Sequence, residues 1–407
     1  MSSRPPRLVV LAHASVLDRG GYARRVLDCA RTLRRAFEGA TVEILSVESP
    51  TRRRDTAALQ AVRAEAATFG ATLEIVAAWP RRRGLAGVSD ALAARAVAKR
   101  LRAVDADLIH AHGPRAARTA LRAAGGTRVR VVVDVHGDRA AEGRLERGEP
   151  DDLATPPDPA ESAVVTAAAG VIYASEALAR RFPASPSAPT GVVPCLVDEA
   201  RLLDAAAEEA RTALRRSWGL SGEEWIAAYA GSLAVWQEVP RVAALAKHLV
   251  GRVPQLRLLV LSPDRAAATA LLDAAGLPRG TFRVLSPPSD EVVRTLAAAD
   301  SGLLLRRPCV ANAVAFPTKA AEYLAAGLSI VTTDAVEAVV SLVSRHPVAG
   351  ISVPWASEDE VIAARLAGAT RPSSPAERAA RRALARGELS GAAAIPDYRR
   401  VHGALLG

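Results

Sequence analysis

Short apolar runs alternate with longer amphipathic stretches along most of this chain. Within the runs, apolar residues follow one another without the strict alternation of a half-exposed strand, which is typical of parallel strands covered on both faces. In the stretches between them, apolar residues recur at helical spacing. The predicted strands of the first half are Leu8–Ala12, Val42–Val47, Thr72–Ala77, Leu108–His112, Val129–His136 and Gly170–Ala174, and the helices between them include Tyr22–Phe37, Thr56–Phe69 and Ser89–Val104.

A stretch rich in proline and serine, Phe182–Pro194, and a charged helical segment, Glu208–Trp218, separate this series from a second one. Strands that alternate with helices indicate a parallel sheet in each half. We therefore predict two domains, residues 1–200 and 201–385, and a C-terminal segment, residues 386–407, that packs at the domain junction. The predicted strands of the second half are Trp225–Ala230, Leu256–Leu261, Phe282–Leu285, Gly302–Leu305 and Ile330–Thr332.

The predicted fold class is α/β, with two Rossmann-like domains whose parallel sheets face a central cleft. A length of 407 residues exceeds what a single core usually supports, which favours two domains. Open α/β sheets bind ligands outside the carboxyl ends of their strands, so we expect a ligand at these edges. The architecture by itself does not assign a reaction.

The net charge of +10 comes almost entirely from arginine. Its two dense clusters, Arg52–Arg54 and Arg81–Arg83, lie in loop-like segments and lack the interleaved aromatic residues of a surface that stacks single-stranded bases. We therefore expect no nucleic-acid partner. A solvated surface is the simpler interpretation of the clusters, and peripheral contact with anionic lipid headgroups is the alternative.

The cysteines Cys29, Cys195 and Cys309 have neither zinc nor thioredoxin spacing, which indicates reduced thiols in a cytoplasmic protein. The apolar run Leu8–Ala12 is too short for a signal-peptide core or a membrane span. We expect a cytoplasmic location, with peripheral contact at the inner face of the membrane left open. Asp105 and Asp107 could be taken for a metal-binding pair, but they precede a buried strand, on the sheet edge opposite the cleft, so we reject them as a metal site. No other set of His, Cys and carboxylate ligands converges in the sequence. We therefore expect no metal and no cofactor.

The most informative stretch is Phe316–Val331, in which Pro317 predicts the start of a helix and Gly327 its end. The free amides of a first helical turn favour an anion, and Lys319 adds a full positive charge there. Glu322 lies one turn further along, where it could accept hydrogen bonds from ribose hydroxyls while the helix start holds a diphosphate. The alternative is an exposed pair of Lys319 and Glu322, which would stabilise the helix by only about 0.2–0.5 kcal/mol.

This stretch resembles the donor-binding helix of retaining GT-B glycosyltransferases of the glycogen synthase-like group, the family 4-like enzymes. In that group a Pro-Thr-Lys turn precedes a glutamate, and the helix closes on Ala-Gly before a strand rich in Val and Ile. The other segments that are similar to the group are Leu11–Tyr22 with its Gly20-Gly21 loop, the His-ended strands in Asp107–Gly113 and Val133–Gly137, and Val192–Asp198 between the domains.

Two departures from the family pattern concern the diphosphate. The first of two glutamates common in the family would fall at Val314, and the loop after the first strand of the second domain offers Ser232 and Gln237 where many members have an Arg and a Lys. The resemblance then leaves phosphate neutralisation to Lys319, the helix dipole and an arginine such as Arg306.

Other candidates lie in the first half. Gly20 and Gly21 lack a Cβ, so their backbone could approach a phosphate or sugar closely, and a plain turn is the alternative. The resemblance implies that His136, at the end of a strand, contacts the transferred sugar; a structural histidine is the simpler interpretation. His112 is a weaker candidate of the same kind. Asp138 and Glu142 could serve acceptor hydroxyls, although a solvated helix start is equally consistent.

The resemblance implies a metal-independent enzyme that moves a sugar, as a hexosyltransferase would, from a nucleotide diphosphate sugar to a small-molecule, glycan or lipid-linked acceptor, with retention. The domain at 1–200 would bind the acceptor and the domain at 201–385 the donor. The alternatives are an inactive nucleotide-sugar-binding or assembly protein and a nucleotide-sugar epimerase. The implied site residues are Lys319, Glu322 and His136 for catalysis; Gly20, Gly21, Ser232, Gln237, Ser286, Pro317, Thr318, Lys319 and Glu322 for the donor; and His112, Asp138 and Glu142 for the acceptor.

Overall fold

The computed structural model describes residues 4–18, 20–77, 86–203, 206–220, 223–369 and 373–407. The chain forms two compact units. The first consists of Met1–Ala140, Pro156–Leu196 and Gly391–Gly407, and the second of Ala141–Thr155 and Val197–Ser390. Both the segment after residue 140 and the C-terminus therefore depart from a simple division of the chain into two halves.

The first unit is built on a seven-stranded sheet with the order β3-β2-β1-β4-β5-β6-β7, and every neighbouring pair of strands is parallel. Its strands are β1 (Arg7–Ala12), β2 (Thr41–Glu48), β3 (Ala71–Ala77), β4 (Leu108–His112), β5 (Arg130–Val135), β6 (Gly170–Tyr173) and β7 (Thr190–Val192). The helices that connect them are α1 (Gly21–Ala36), α2 (Thr56–Thr68), α3 (Ala86–Ala103), α4 (Gly113–Ala124), α5 (Arg139–Glu146), α6 (Pro159–Thr166) and α7 (Glu176–Arg181).

The second unit has a six-stranded sheet with the order β10-β9-β8-β11-β12-β13, which is also parallel throughout. Its strands are β8 (Trp225–Ala230), β9 (Leu256–Leu261), β10 (Phe282–Leu285), β11 (Ser301–Leu304), β12 (Ser329–Thr333) and β13 (Gly350–Val353). Its helices are α8 (Ala207–Ser217), α9 (Val239–Arg252), α10 (Arg265–Ala274), α11 (Val292–Leu296), α12 (Val310–Ala313), α13 (Thr318–Ala325), α14 (Glu337–Arg345), α15 (Asp359–Ala369) and α16 (Pro375–Glu388).

The C-terminal segment, for which we predicted a place at the domain junction, forms α17 (Gly391–Leu406) and packs into the first unit. Its residues Ala394, Tyr398 and Val401 belong to the same apolar core as Val10 of β1 and Leu33 of α1. Each large apolar side chain buried in this way contributes about 1.5–3 kcal/mol. The first Rossmann-like unit is therefore completed by residues from the far end of the chain.

Each predicted strand occurs in the structure, and no end is shifted by more than one residue. Two strands were missed, β7 and β13, and both are short edge strands. β7 lies inside the stretch that we interpreted as a Pro- and Ser-rich connection, because three residues carry too little pattern to outweigh their neighbours. α16 begins at a reciprocal capping box that Ser374 and Glu377 form. Of the helices in the described segments, none has the length and hydropathy needed to cross a bilayer.

In each sheet the first strand of the unit lies in the interior, and the chain builds outward from it in both directions. The order therefore reverses between β1 and β4 in the first unit and between β8 and β11 in the second. Such a switch point opens a crevice at the carboxyl ends of the two strands, and ligands of open α/β sheets bind there. We call these places the first and the second switch point.

Candidate active site

The side chain of Tyr323 spans the gap between two strands at the second switch point. β8 and β11 pair only through Ser301 with Ala227 and Gly302 with Ala228, and the strands then separate. The hydroxyl of Tyr323 bridges the gap, because it accepts from the amide of Ala230 at 3.1 Å and donates to the carbonyl of Leu303 at 3.2 Å. A Cβ on Gly302 would lie 2.2 Å from the Tyr323 ring, so glycine at that position leaves room for the ring.

Because Tyr323 belongs to α13, this bridge fixes the start of α13 at the second switch point. Thr318 is the first residue of the helix, Pro317 precedes it as the N-cap, and Gly327 follows it with φ of +86°. Glycine adopts that conformation without strain, so the predicted helix stop is confirmed. The first turn, with its amides and the positive end of the helix dipole, therefore begins where a ligand of this sheet would bind.

The side chain of Lys319 lies on the first turn of α13 and is 8% exposed. Its ammonium group donates to the hydroxyl of Tyr229 at 3.1 Å and to the side-chain oxygen of Gln237, and it lies 4.3 Å from the centre of the Tyr229 ring. Burial, and after it the charge of Arg306, holds the pKa of Lys319 well below the ordinary 10.5. An anion at this place would restore the charged form.

Arg306 lies two residues after the end of β11 and is 5% exposed. Its guanidinium group donates to two neutral oxygens, the carbonyl of Trp236 and the side chain of Asn312, each at 3.0 Å. Burial lowers the pKa of Arg306. In the described part of the chain, neither Lys319 nor Arg306 forms an ion pair, so the second switch point holds two buried basic groups beside polar neutral partners.

The loop after β8 positions both basic groups with oxygen atoms. Gln237 supplies the oxygen for Lys319, and the carbonyl of Trp236 supplies the oxygen for Arg306. The carbonyl of Ser232 accepts from the Tyr229 hydroxyl at 2.5 Å, while the residue itself is exposed at the start of the loop. At Gly231, φ is +141° and a Cβ would lie 2.4 Å from Cε of Lys319, so glycine is needed for the approach of the lysine.

Glu322, which we predicted to accept from ribose hydroxyls, forms an ion pair with Arg201 at 3.1 Å. The same Arg201 side chain donates to the carbonyl of Ser289 at 2.9 Å. It therefore connects α13 with the loop after β10, which contains the predicted donor residue Ser286. Ser286 is exposed at the start of that loop. Sequence reasoning missed Arg201, because Glu322 is 121 positions away along the chain and no local pattern links the two residues.

A cavity of about 360 Å³ in the second unit lies elsewhere on this sheet. Trp218, Arg257, Phe282 and Arg283 are among its lining residues. None of the predicted donor residues lines it, and it holds no member of the Lys319 and Arg306 group. The second switch point is therefore defined by its polar side chains rather than by this cavity.

The first switch point has the same bridge. The hydroxyl of Tyr22 accepts from the amide of His13, just after β1, at 3.2 Å and donates to the carbonyl of His112, at the end of β4, at 3.3 Å. Gly20 is the N-cap of α1, Gly21 is its first residue, and both are exposed. A Cβ on Gly20 would meet nothing within 4 Å, so the backbone there is open on that side.

Beneath this bridge lies a buried carboxylate, Asp134 of β5. Its Oδ1 atom accepts from Nε of Arg25 at 2.8 Å and from Nδ1 of His136 at 3.1 Å. Burial acts to raise the pKa of Asp134, but the charge of Arg25 and the histidine contacts hold it well below the ordinary 3.8. A carboxylate oxygen only accepts, so His136 donates through Nδ1, and in the neutral ring Nε2 can accept a proton or a hydrogen bond.

The predicted acceptor residues do not form one group. His112 is buried, and burial lowers its pKa well below the ordinary 6.5. Asp138 is also buried and pairs with Arg181 of α7 at 2.5 Å. Glu142 is half-buried in α5 and belongs to the segment that packs with the second unit. The structure thus brings His112 and His136 together around Asp134 and places Asp138 in a separate ion pair.

The sequence did not reveal a convergent set of possible metal ligands, yet the first unit contains two such groups. One ligand atom from each of Cys29, His110 and His112 lies within 4.8 Å of the others, and the same holds for His112, Asp134 and His136. Cys29 comes from α1 and the histidines from β4, so spacing along the chain did not reveal the cluster.

Of the arginine clusters considered for membrane contact, Arg52–Arg54 forms an exposed turn of 3₁₀-helix, in which Arg52 pairs with Asp18 at 2.6 Å. Arg81–Arg83 lies outside the described residues. Asp105 and Asp107, which we rejected as a metal site, bind Arg4 at the amino-terminal edge of the sheet.

Residues 19–201 match Glycosyltransferase Family 4. No curated protein sequence matches the chain. Similar solved structures include a glycosyltransferase from Rickettsia africae, with a TM-score of 0.70, 14% identity, and coverage of 100% of this chain and 99% of that one. Anabaena HepE in complex with UDP and glucose has a TM-score of 0.68, 16% identity, and coverage of 98% and 99%. Sucrose-phosphate synthase from Thermosynechococcus elongatus has a TM-score of 0.70, 14% identity, and coverage of 98% and 99%.

These likenesses show the fold. The chain has two parallel-sheet α/β units, with seven and six strands, and matches GT-B glycosyltransferase structures over nearly its whole length. The sequence match lies mostly in the first unit, whereas the Lys319 helix lies in the second. The family match therefore covers mainly the first unit, whereas the structural matches cover both units.

Proposed function

We propose that this protein transfers a glycosyl group, a hexose as the working case, from a nucleotide diphosphate sugar to an acceptor, with retention of the anomeric configuration. The observation that carries the proposal is the pair of buried basic groups, Lys319 and Arg306, beside the first turn of α13. Burying positive charge without an ionic partner is unfavourable unless a ligand supplies the opposite charge. A diphosphate would supply it.

In this proposal the second unit binds the donor. The start of α13 and Lys319 hold the diphosphate, and Arg306 takes the place of the cationic pair that the loop after β8 lacks. That loop contributes the oxygens of Trp236 and Gln237, which orient the two basic groups. Glu322 is held by Arg201 and presents its carboxylate toward the ribose. The HepE complexes with UDP and glucose and with UDP-glucose support this class of ligand for the fold.

The proposed catalysis is electrostatic. As the bond between the sugar and the diphosphate breaks, negative charge grows on the leaving group. Fixed positive groups aimed at that place stabilise the transition state more than the ground state. Lys319 and Arg306 would do this without a metal at the diphosphate, because two cationic groups and a helix start already supply the charge.

The first unit would present the acceptor and contact the transferred sugar. His136 donates to Asp134 through Nδ1, which leaves Nε2 to accept a hydrogen bond from a sugar hydroxyl. Gly20 and Gly21 leave the backbone before α1 accessible. A small molecule, a glycan or a lipid-linked acceptor would fit this role. If the acceptor is lipid-linked, the described cluster Arg52–Arg54 would be the surface that contacts anionic headgroups.

The test is donor turnover. Purified protein is incubated with a panel of nucleotide diphosphate sugars, and release of the nucleoside diphosphate is measured with and without candidate acceptors. We expect one donor to be consumed, and Lys319→Ala to lower its turnover by about a hundred- to a thousand-fold with the fold intact by circular dichroism. Lys247→Ala, at an exposed lysine of α9, is the matched control and should leave turnover unchanged.

The same incubations separate the alternatives. An epimerase would isomerise the sugar of the donor alone and release no nucleoside diphosphate. An inactive binding protein would bind a donor without consuming it under any acceptor. Turnover that is the same in Lys319→Ala and wild type would contradict the assignment of Lys319.

A further inference from the structure

The buried side of the first switch point contains a chain of hydrogen bonds whose direction is fixed at one end. Nδ1 of His402, on α17, lies 3.0 Å from the carbonyl of Tyr398, and a carbonyl can only accept. His402 therefore carries a proton on Nδ1. Its Nε2 atom lies 2.9 Å from Nδ1 of His110, and the two rings are stacked with their planes 9° apart.

This direction has a consequence for the other nitrogen of His110. If both rings are neutral, His402 accepts at Nε2, His110 donates from Nδ1, and Nε2 of His110 carries a lone pair. That lone pair faces Oδ2 of Asp134 at 3.4 Å. Two acceptors cannot form a hydrogen bond with each other, so the gap between them requires either one additional proton in the histidine pair or a cation.

His112 faces the same oxygen. Its Nδ1 atom lies 3.8 Å from Oδ2 of Asp134, and in the described structure neither ring nitrogen of this buried histidine has a hydrogen-bond partner. A buried imidazole without partners is unfavourable in a protein interior. The Oδ2 atom thus has two histidine nitrogens around it and no donor whose direction is assigned, while Oδ1 is occupied by Arg25 and His136.

A thiol completes the group. One ligand atom each from Cys29, His110 and His112 lies within 4.8 Å of the others. Ligand atoms on a tetrahedral zinc ion lie roughly 3.3–3.8 Å apart, given bonds of about 2.0–2.1 Å to nitrogen and about 2.3 Å to sulfur. For a nitrogen and an oxygen the expected separation is about 3.3 Å. The 3.4 Å distance from Asp134 to His110 suits two ligands of one ion, whereas the 3.8 Å distance to His112 is longer. A cation held by Cys29, His110 and His112 would also face Oδ2 of Asp134, which lies near both histidines.

We propose that Cys29, His110 and His112 form a binding site for a divalent transition-metal ion of the zinc class, with the Asp134 carboxylate facing the two histidines. Binding would release the thiol proton of Cys29 to solvent, and the resulting thiolate would offset one of the two charges of the ion. A Cys and His ligand set selects zinc-like ions over magnesium or calcium. His402 would orient His110 as a partner one step from the ion, which is the usual arrangement of metal-bound histidines.

The site would be structural, because three elements, α1, β4 and β5, meet at it, and α17 holds one of its histidines in place. It belongs to the first unit and goes beyond the transfer reaction proposed above. The two proposals can fail independently, since one concerns donor turnover and the other concerns metal retention.

The test uses the full chain, unfolded with a chelator, refolded with cobalt(II) as the only metal, and desalted. We expect one cobalt ion per chain and the near-ultraviolet charge-transfer band of a cobalt–thiolate bond. Cys29→Ser should lose that band and bind cobalt at least tenfold more weakly, while Cys309→Ser, at the buried thiol of the second unit, should keep both.

Wild-type protein that folds but retains no stoichiometric cobalt would overturn the proposal. One additional proton on the histidine pair would then explain how His110 Nε2 and Asp134 Oδ2 face each other. A thiolate band that survives in Cys29→Ser or disappears in Cys309→Ser would overturn it as well. If Cys29→Ser does not fold, the metal content and spectrum of the wild type still decide.

Discussion

The two switch points use the same bridge but hold opposite charge. In each unit a tyrosine hydroxyl accepts from an amide at the end of the first strand and donates to a carbonyl of the strand across the switch, through Tyr22 in the first unit and Tyr323 in the second. Below Tyr22 lie the Asp134 carboxylate and its histidines. Beside Tyr323 lie Lys319 and Arg306, which form no ion pair among the described residues.

This difference separates structural charge from functional charge. Asp134 is neutralised within the protein by Arg25, whose guanidinium group also donates to the carbonyls of Val193 and Pro194. The charge of Asp134 therefore stabilises the folded unit and is not left for a ligand. Lys319 and Arg306 have only neutral oxygens as partners, so their charge remains available to a ligand. A buried group that the protein leaves electrostatically incomplete is a better indication of function than burial alone.

The largest effect is expected from breaking the buried ion pair of Arg25 and Asp134. Arg25→Met leaves the Asp134 carboxylate buried without its cation, and we expect the free energy of unfolding to fall by about 3–5 kcal/mol. Urea unfolding measures the change. Arg52→Met, at an exposed pair with Asp18, should change stability by less than about 1 kcal/mol, and equal effects of the two substitutions would contradict the distinction.

The next effect concerns the charge left for a ligand. Arg306→Gln removes one cation from the proposed diphosphate position, and a charge-assisted hydrogen bond is worth about 1.5–3 kcal/mol, or roughly ten- to a hundred-fold in turnover. Steady-state kinetics with the consumed donor measures it. Arg307→Gln, next to it in the chain and paired with Glu238, is the control. Equal losses in both variants would show that Arg306 has no special role.

The shared bridge predicts matched losses in the two units. Tyr22→Phe and Tyr323→Phe each remove a hydroxyl that satisfies one amide and one carbonyl, and we expect each to lower the free energy of unfolding by about 1–3 kcal/mol. Tyr323→Phe should also weaken nucleotide binding, because it loosens the start of α13. Denaturant unfolding and nucleotide titration of both variants check this. Weaker nucleotide binding in Tyr22→Phe alone would contradict the assignment of the nucleotide to the second switch point.

The smallest expected effect is the uptake of protons when a diphosphate binds beside Lys319. Because the pKa of Lys319 is lowered well below 10.5 in the ligand-free protein, a bound diphosphate should raise it. Binding should then take up protons at pH values between the lowered pKa and the pKa of the complex, and affinity should fall as the pH rises through that window. Calorimetric titrations in buffers with different ionisation enthalpies measure the uptake. Proton release in wild type, or the same uptake in Lys319→Met, would contradict this assignment.

Much of the second switch point follows from local sequence. The predicted helix from Pro317 to Gly327 is confirmed, because a proline start, a glycine stop and an apolar face act over a few neighbouring residues. The placement of Lys319 on its first turn follows directly. The sequence pattern also predicts nearly all strands of both parallel sheets, since strands buried on both faces are continuous apolar runs.

The remaining features depend on contacts between distant residues. Arg201 reaches Glu322 across 121 positions, and His402 reaches His110 across 292. No periodicity or motif connects such residues, because the fold alone brings them together. The packing of α17 into the first unit was missed for the same reason, and with it the cluster around Cys29.

The most direct test of the central claim compares a nucleoside diphosphate with its monophosphate. Calorimetry would give the affinity of both for wild type and Lys319→Ala, with the base chosen as the tightest binder of a panel. We predict that wild type prefers the diphosphate by roughly ten- to a hundred-fold, which corresponds to a charge-assisted contact of about 1.5–3 kcal/mol, and that Lys319→Ala removes most of this preference. A preference that is the same in both proteins would show that the incomplete charge at the second switch point does not recognise a diphosphate.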